Sequence, residues 1–496
     1  MLIALLMLPA SEAVAQNKKP SHKTNLTNKT KSSPKPGATT PLAKNDVVVH
    51  VIHDVSPQQV RQTIEKLVSF GTRNTLSVNN PGAATSDKGI VAARNWIKQE
   101  FERYSQACGG CLEVKTDTFI QQPKGPRDRV NKPTELQNVY AILRGTDPAQ
   151  AKRIFLVTGH YDSRRKDVMN TTDPAPGAND DGSGTSVSLE CARVLSKHRF
   201  PATIIFLTVA GEEQGLYGSG HFAQMAKDQG WDIEAALNND IVGGNRTPGD
   251  TMQNNNWVRL FSESIPANAT EADLARIRAV GGENDSPSRE LARYILEISR
   301  TYSSFGAFTP KLIFRRDRYL RGGDHISFNQ EGFPAVRFTE YREDFHHQHE
   351  NPRTENSIEY GDLPKFVDFS YVANVARINA ATLATLALSP APPEKVRLET
   401  QGLENDSKID WEAPGATAYE VLWRKTTDSD FPPENATRTT ETSVDMPESK
   451  DNVIFGVRSV DAKGNKSVIV IPQPERSGSP AVSEQKTPEP KSKEQH

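Results

Sequence analysis

Apolar positions along this chain recur with two different periods, and the changes between them outline its organisation. In Pro57–Phe70 (PQQVRQTIEKLVSF) Val60, Ile64, Leu67 and Val68 fall at helical spacing, and in Gly89–Tyr104 Val91, Ala92, Trp96, Ile97 and Phe101 do the same. These segments predict helices packed on a core. Short apolar runs without alternation follow at Asn138–Gly145, Arg153–Gly159, Ala202–Val209 (ATIIFLTV) and Glu234–Val242. Such runs, rich in β-branched residues, predict strands buried on both faces, the habit of a parallel sheet. Helical spacing returns in a segment opened by Gly177–Thr185 and reaching about His198, in Ser288–Thr301 and in Val367–Leu388, with a short strand over Pro334–Phe338. Ser183 or Thr185 could cap the first of these helices. Strand and helix alternate, so the expected fold class is α/β with a doubly wound, mainly parallel sheet.

The texture changes at about Ala391. PEKVRLET, SKIDWEAP, AYEVLWRK and NVIFGVRSVDAKGNKS are short alternating segments bounded by Pro, Gly, Asn and Asp, the pattern of a small all-β sandwich. Trp411, Tyr419, Val421, Trp423, Phe455 and Val457 form its expected core. This stretch resembles a fibronectin type III module and carries no catalytic pattern; contact with a protein or polysaccharide is the role left open for it.

At the other end, MLIALLMLPASEAVAQ has the apolar run of a secretory signal and a small-x-small site at Ala13-Val14-Ala15, with no basic residue before the run. Asn17–Asn45 holds seven lysines and no acid among Pro, Ser, Thr and Asn. That composition cannot bury a core and reads as a disordered basic linker or, more sharply, a surface-binding arm. The expected organisation is a signal peptide at 1–15, a linker at 16–46, the α/β domain at 47–389, the β-module at 390–474 and a polar, Pro-rich disordered tail at 475–496. The 496 residues accommodate these parts, and a net charge of −2 gives no bias towards nucleic acid. No later stretch has the roughly 18 apolar residues that cross a bilayer, so a soluble exported protein, secreted or periplasmic, is expected. Of the three cysteines, Cys108 and Cys111 form C-G-G-C, and in an oxidising compartment they are expected to close a local disulfide.

Candidate chemistry gathers where the predicted strands end, which is where open α/β sheets bind ligands. Arg153–Gly159 runs into His160-Tyr161-Asp162-Ser163, Ala202–Val209 into Ala210-Gly211-Glu212-Glu213, and Glu234–Val242 delivers Asp240. Asp180 opens a helix within G-A-N-D-D-G-S-G, and Phe345-His346-His347-Gln348-His349-Glu350 adds imidazoles. Adjacent carboxylates such as Glu212 and Glu213 repel each other unless a cation lies between them and their tasks differ. Each acid alone would read as a solvated surface charge. Together, carboxylates and imidazoles from separate strands of one sheet, with no cysteine, are the donors of a zinc site.

G-H-Y-D-S, G-A-N-D-D-G-S-G, A-G-E-E-Q-G-L-Y-G-S, N-D, G-D-H-x-x-F and a late histidine stand in this order between about Val48 and Leu388. The set resembles the co-catalytic di-zinc aminopeptidases of secreted bacterial type. The resemblance implies a phosphorylase/hydrolase-like, three-layer α/β/α sandwich with a mainly parallel mixed sheet, and two Zn2+ per chain. By position it implies that His160 and Asp240 hold one zinc, Glu213 and the late histidine hold the other, Asp180 bridges both, and Glu212 is the general base. Asp181 matches a position at which the family has a cis peptide, and Asp162 fits a partner that orients the His160 imidazole. The late histidine departs from the family pattern, because Phe345–Arg353 lacks the Asp-Thr that normally follows it. His349 is the first choice, with His347 and His346 as alternatives. His325 in G-D-H-I-S-F is expected to wall the cleft or to hydrogen-bond. Trp257 and Tyr319 either line the substrate pocket or pack, and His50, His53, His198 and His221 are expected to be structural or superficial.

The function implied is a secreted metallo-aminopeptidase, a hydrolase that releases amino-terminal residues from peptides. A glutaminyl cyclase-type acyltransferase and a carboxypeptidase on the same scaffold remain open, as does a binding protein with a degenerate enzyme domain. Peptides are the expected partners, with no nucleic acid and no integral membrane segment.

Overall fold

The computed structural model describes residues 42–475 except 81, 83, 84, 86, 303–307 and 414. The signal segment, the linker as far as residue 41 and the tail from residue 476 lie outside the described residues. Ordered chain begins before residue 47. Leu42 is buried, and Asn45 caps α1 (Asp46–Asp54), its side chain accepting from Val47 N and its own N–H donating to Tyr302 Oη at 3.1 Å. The β-branched run in α1 has weak helix propensity, and burial of Val48, Val51 and Ile52 decides in its favour.

Ser56 caps α2 (Pro57–Ser69), with Pro57 in the first turn. α3 (Gly89–Ala107) runs into a disulfide between Cys108 and Cys111. Then come β1 (Leu112–Gln121), β2 (Thr134–Leu143), β3 (Arg153–His160), α4 (Gly182–Leu195), β4 (Thr203–Val209), α5 (Glu212–Gly215), α6 (Tyr217–Asp228) and β5 (Asp232–Asn239). They are followed by β6 (Trp257–Ser262), α7 (Glu271–Val280), α8 (Pro287–Thr301), β7 (Thr309–Ile313), α9 (His325–Gln330), β8 (Ala335–Glu340), the β9–β10 hairpin (Arg353–Glu355, Ile358–Tyr360) and α10 (Phe369–Leu388). The cap of α4 is Asp181, not Ser183 or Thr185: its Oδ1 accepts from Gly184 N at 2.8 Å. A carboxylate there also complements the positive helix end, while the two hydroxyls donate instead to the carbonyls of Asn179 and His160.

Eight strands form one sheet in the order β1-β2-β4-β3-β5-β8-β6-β7. The inner run β4-β3-β5-β8 is parallel, as is β6-β7, whereas β1-β2, β2-β4 and β8-β6 pair antiparallel. Every residue of β3 and β4 is buried, which explains their unbroken apolar runs. On one face α1, α2, α3, α4, α8 and α10 share a core with Phe155, Val157, Ile204 and Phe206. On the other, Phe222 of α6 and Phe328 of α9 pack on Leu156, Ile205 and Leu207. The result is a three-layer α/β/α sandwich around a mixed sheet. Two glycines bring its functional end together: a Cβ on Gly184 would stand 1.9 Å from Asn239 O, and one on Gly159 2.4 Å from Gly184 C. The start of α4 therefore sits directly on the carboxyl ends of β3 and β5.

β11 (Glu394–Glu399), β12 (Ser407–Glu412), β13 (Ala418–Lys425), β14 (Ala436–Thr439), β15 (Ser443–Met446), β16 (Val453–Val460) and β17 (Gln473–Glu475) make two further sheets, β15-β12-β11-β17 and β14-β13-β16. Trp411, Tyr419, Val421, Phe455 and Val457 lie in their shared core, and Trp423 packs on it half-buried. This β-unit meets α8 through buried charge. Arg458 pairs with Glu297 at 2.8 Å and Glu420 at 2.9 Å, Lys466 pairs with Glu420 at 2.8 Å, and Asp285 pairs with both Arg293 and Arg424. Among the described residues no helix is long and apolar enough to cross a membrane.

Candidate active site

Strand ends deliver the acidic residues. His160 closes β3, Asp180 precedes the cap of α4, and Asp240 follows β5. After β4 the chain turns at Gly211, whose φ of 76° lies in the left-handed region open to glycine, and Glu212 and Glu213 begin α5. The side chains meet in two groups, His160 with Glu212 and Asp240, and Asp180 with Glu213 and His349; within each group ligand-type atoms lie within 4.8 Å of one another. Asp180 links the groups. Its Oδ1 is 3.2 Å from His160 Nε2, and its Oδ2 is 2.8 Å from His349 Nε2. Glu213 Oε1 is 3.1 Å from the same His349 nitrogen, and Glu212 Oε2 and Asp240 Oδ1 are each 4.0 Å from His160 Nε2. His160, Asp180, Glu213 and Asp240 are buried, while Glu212 and His349 are partly exposed.

The six residues chosen from the sequence thus converge. Among the late histidines, His349 faces Asp180 and Glu213. His347 is buried with its ring stacked on Phe366, centroids 3.7 Å apart, and exposed His346 has Nδ1 2.9 Å from Asp344 Oδ1. His349 reaches inward from a left-handed backbone at φ 59°, and Ile241, beside Asp240, adopts φ 58°. For a β-branched residue that conformation costs about 1–2 kcal/mol, which surrounding structure must offset.

A second layer of residues orients these groups. Asp162 places its carbonyl 3.2 Å and its Oδ1 3.4 Å from His160 Nδ1, while its Oδ2 accepts from Thr75 Oγ1 at 2.9 Å and Glu213 N at 3.3 Å. The Asp180–Asp181 peptide is cis, and Asp181 Oδ2 accepts from His160 N at 3.0 Å. Sequence reasoning missed several supports. Asp362 accepts from the N–H groups of Asn179 and Asp180 at 2.8 and 2.7 Å. Arg73, fully buried, donates to the carbonyls of Tyr161, Pro176 and Gly177. Gln348 Nε2 donates to Asp180 Oδ2 at 3.0 Å, and Arg164 Nε lies 3.1 Å from Glu213 Oε2. Arg337 Nη2 lies 2.9 Å from Asp240 Oδ1, and a charge inside the otherwise buried strand AVRFTE is the signal that points to it.

Other positions resolve as follows. His325 is buried with Nε2 2.8 Å from Arg316 O, and burial pushes it down to about 4. Trp257 packs half-buried against Tyr341, Tyr319 stands in solvent, and His221 stacks on Phe119 with Nδ1 2.9 Å from Asp117 Oδ2.

Electrostatics reflect a surplus of buried carboxyls. Burial pushes Glu212 well above the usual carboxylate range, and the charges of Asp240, Glu213 and Asp324 add to this against the pull of His160. Burial also raises Asp181 strongly and Asp362 to about 7. Asp180 goes the other way: burial opposes it, but His349 and His160 hold it well below its ordinary value. Burial likewise opposes charge on the imidazoles, yet Glu212, Asp162 and Asp180 carry His160 well above its usual range, and Glu213 and Asp180 carry His349 to about 10. The cluster therefore draws protons to balance its acids, a balance that a divalent cation would also provide. Despite these close approaches, buried His160 Nε2 and Glu213 Oε1 make no well-directed hydrogen bond, and imidazole nitrogen with carboxylate oxygen is an ordinary zinc donor set. These residues fit zinc.

Residues 138–366 match the profile of peptidase family M28. The chain is 42% identical over 440 residues to a probable zinc metalloprotease of Leptosphaeria maculans, covering 87% of this chain and 98% of that protein. It is 43% identical over 445 residues to a probable zinc metalloprotease of Pyrenophora tritici-repentis, covering 88% of each. Among solved structures, the LapA aminopeptidase of Legionella pneumophila aligns with a TM-score of 0.48 at 19% identity, over 76% of this chain and 81% of that one. Given the profile match and the near-complete coverage of relatives above 40% identity, this chain belongs to peptidase family M28.

Proposed function

We propose that the protein is a zinc-dependent aminopeptidase that binds two Zn2+ per chain and hydrolyses amino-terminal residues from peptides. The observation that carries this reading is the Asp180 carboxylate, whose two oxygens face His160 Nε2 and His349 Nε2. In this reading His160 and Asp240 would hold one ion and Glu213 and His349 the other, with Asp180 placed to serve both. Bound zinc supplies a Lewis acid that polarises the scissile carbonyl and lowers the pKa of water. Glu212, the acid of this group that keeps a path to solvent, takes the proton of the attacking water and passes it to the leaving amine. Asp162 engages His160 at Nδ1 and so keeps Nε2 aimed into the site. Arg337 is tied to Asp317 and to Gly322 O, and fixes Asp240 in place.

Export belongs to the same reading, supported by the Ala13-Val14-Ala15 signal pattern and by the Cys108–Cys111 disulfide. We take the C-terminal β-unit as a type III-like module on the strength of its seven strands in two sheets. The test is a zinc count per chain combined with hydrolysis of blocked and unblocked amino-terminal chromogenic substrates. Two zinc ions and cleavage of the unblocked set are expected; cleavage of blocked substrates alone would sink the aminopeptidase reading.

A further inference from the structure

The loop between β7 and α9 presents an unusual tip. Leu320 is fully exposed and holds a left-handed backbone at φ 53°; its neighbour Tyr319 is 77% exposed, and Phe345, on the loop that carries His349, is 66% exposed. A branched side chain held wholly in water on a disfavoured backbone is not explained by packing within the chain. Nor is the loop loosely attached. Arg318 bonds Asp317 Oδ1 at 3.0 Å, Glu343 Oε2 at 2.8 Å and Gly322 O at 3.1 Å, and Arg321 reaches the same Glu343 oxygen at 3.1 Å. Arg321 also lies over the Phe345 ring at 6.0 Å, joining the two loops.

This tip adjoins the metal-ligand cluster. A Cβ added to Gly323 would stand 3.1 Å from Asp240 Oδ2 and 2.5 Å from Arg337 Nη1, so the loop comes down against the site with no room for a side chain. Leu320 is three residues away, and three residues of chain span at most roughly 11 Å, the length of about three extended peptide residues. Beneath the tip, Arg315 lies over the Tyr319 ring at 4.2 Å. Arg315 and Arg316 are exposed, and among the described residues neither has an acid within ion-pair distance.

We propose that Tyr319, Leu320 and Phe345 form a rim that docks the peptide substrate beyond its scissile bond. The rim takes an apolar side chain at about the third residue and favours acidic over basic neighbours there. This rests on the peptidase reading above and adds the substrate's length and composition to it.

The test uses the full-length, zinc-loaded protein and the double variant Leu320→Ser/Phe345→Ser, whose sites are exposed; the fold contact it gives up is the stacking of Arg321 on Phe345. Substrates are an unblocked aminoacyl anilide, which ends at the scissile bond, and pentapeptides with the same first residue and Leu, Asp or Lys at the third. The parent is expected to prefer Leu and Asp over Lys. The variant is expected to lose about tenfold in kcat/KM on the Leu pentapeptide, through KM, with the anilide within about twofold of the parent. An equal loss on both substrates, or a loss on neither, would overturn the rim. A concentration-dependent dimer that the substitutions dissolve would assign the tip to a second copy and also overturn it. If the parent cleaves neither substrate class, the peptidase reading itself fails and the rim goes with it.

Discussion

The seam between α8 and the C-terminal β-unit and the strand-end cluster of the α/β domain both bury many charges, with opposite balance. In the seam Asp285, Glu290, Glu297 and Glu420 meet Arg293, Arg424, Arg458 and Lys466, acid for base. At the strand ends Asp162, Asp180, Asp181, Glu212, Glu213, Asp240 and Asp362 crowd two imidazoles, with the guanidiniums of Arg73, Arg164 and Arg337 against their carboxylates or backbone and Arg129 on the Glu213 carbonyl. An ionised carboxylate removed from water costs several kcal/mol unless a positive partner meets it. The seam comes close to that condition with its own side chains. The site does not, and its surplus is the physical reason to expect a cation there, independent of any family likeness.

If surplus and balance mark different tasks, single substitutions should have different kinds of effect in the two places. The largest is expected at Glu212. Glu212→Gln removes one charge from the surplus while keeping size, so zinc per chain should stay unchanged and turnover of an unblocked anilide should fall between about 10²- and 10⁴-fold. A variant that keeps most of its turnover would remove Glu212 from the proton-transfer role. Next is Arg458→Met, which gives the seam the kind of surplus the site has by leaving Glu297 and Glu420 short of a partner. Breaking a buried pair from one side costs about 3–5 kcal/mol, read from urea unfolding, and added zinc should not restore it. A loss below about 1 kcal/mol would mean that the seam is more open to water than its geometry indicates.

How much of each region was legible follows from what burial does to sequence. β3 and β4 announce themselves because both faces are covered and every position between Arg153 and His160, and all of β4, is apolar or small, whereas β1 (LEVKTDTFIQ) has an exposed face and leaves no such run. The site acids could be found because the ends of those legible strands carry them. Their supports could not: Asp362 and Arg73 act from loops through backbone groups. His349 is the first choice among the late histidines, but the backbone at φ 59° that turns it inward is not encoded in residue spacing. The seam was hidden for another reason. Glu420 and Arg458 alternate with apolar residues in β13 and β16 and read as the wet face of a separate sandwich. In the fold that face is covered by α8, and both side chains are buried. The C-terminal unit is thus fixed to the α/β domain by charge that its own sequence presents as surface.

Within the site the late histidines divide between ligand geometry at His349 and packing at His347. On the two-zinc reading, His349→Ala should weaken zinc binding more than 100-fold at one position, since even residues behind a ligand contribute 10- to 100-fold, roughly. His347→Ala should leave the zinc count intact and lose only its packing on Phe366. Unchanged zinc in His349→Ala would transfer the role to a neighbour.

The smallest effect tests whether balance in the seam is complete. Glu290 faces Arg293 and Arg424, with Asp285 as the opposing acid, and burial still raises it from 4.5 to about 7. A carboxyl raised on folding binds its proton more tightly in the folded state. Its contribution to stability is therefore full below about 4.5 and is lost as pH rises towards 7, on the order of 3 kcal/mol if the whole shift is realised. Unfolding free energies measured across that window should decline with pH in the parent, and the Glu290→Gln variant should decline less by this amount. Parallel pH profiles would show that Arg293 and Arg424 already neutralise Glu290 fully. In that case the seam would be balanced group by group, with no buried acid of its own to titrate.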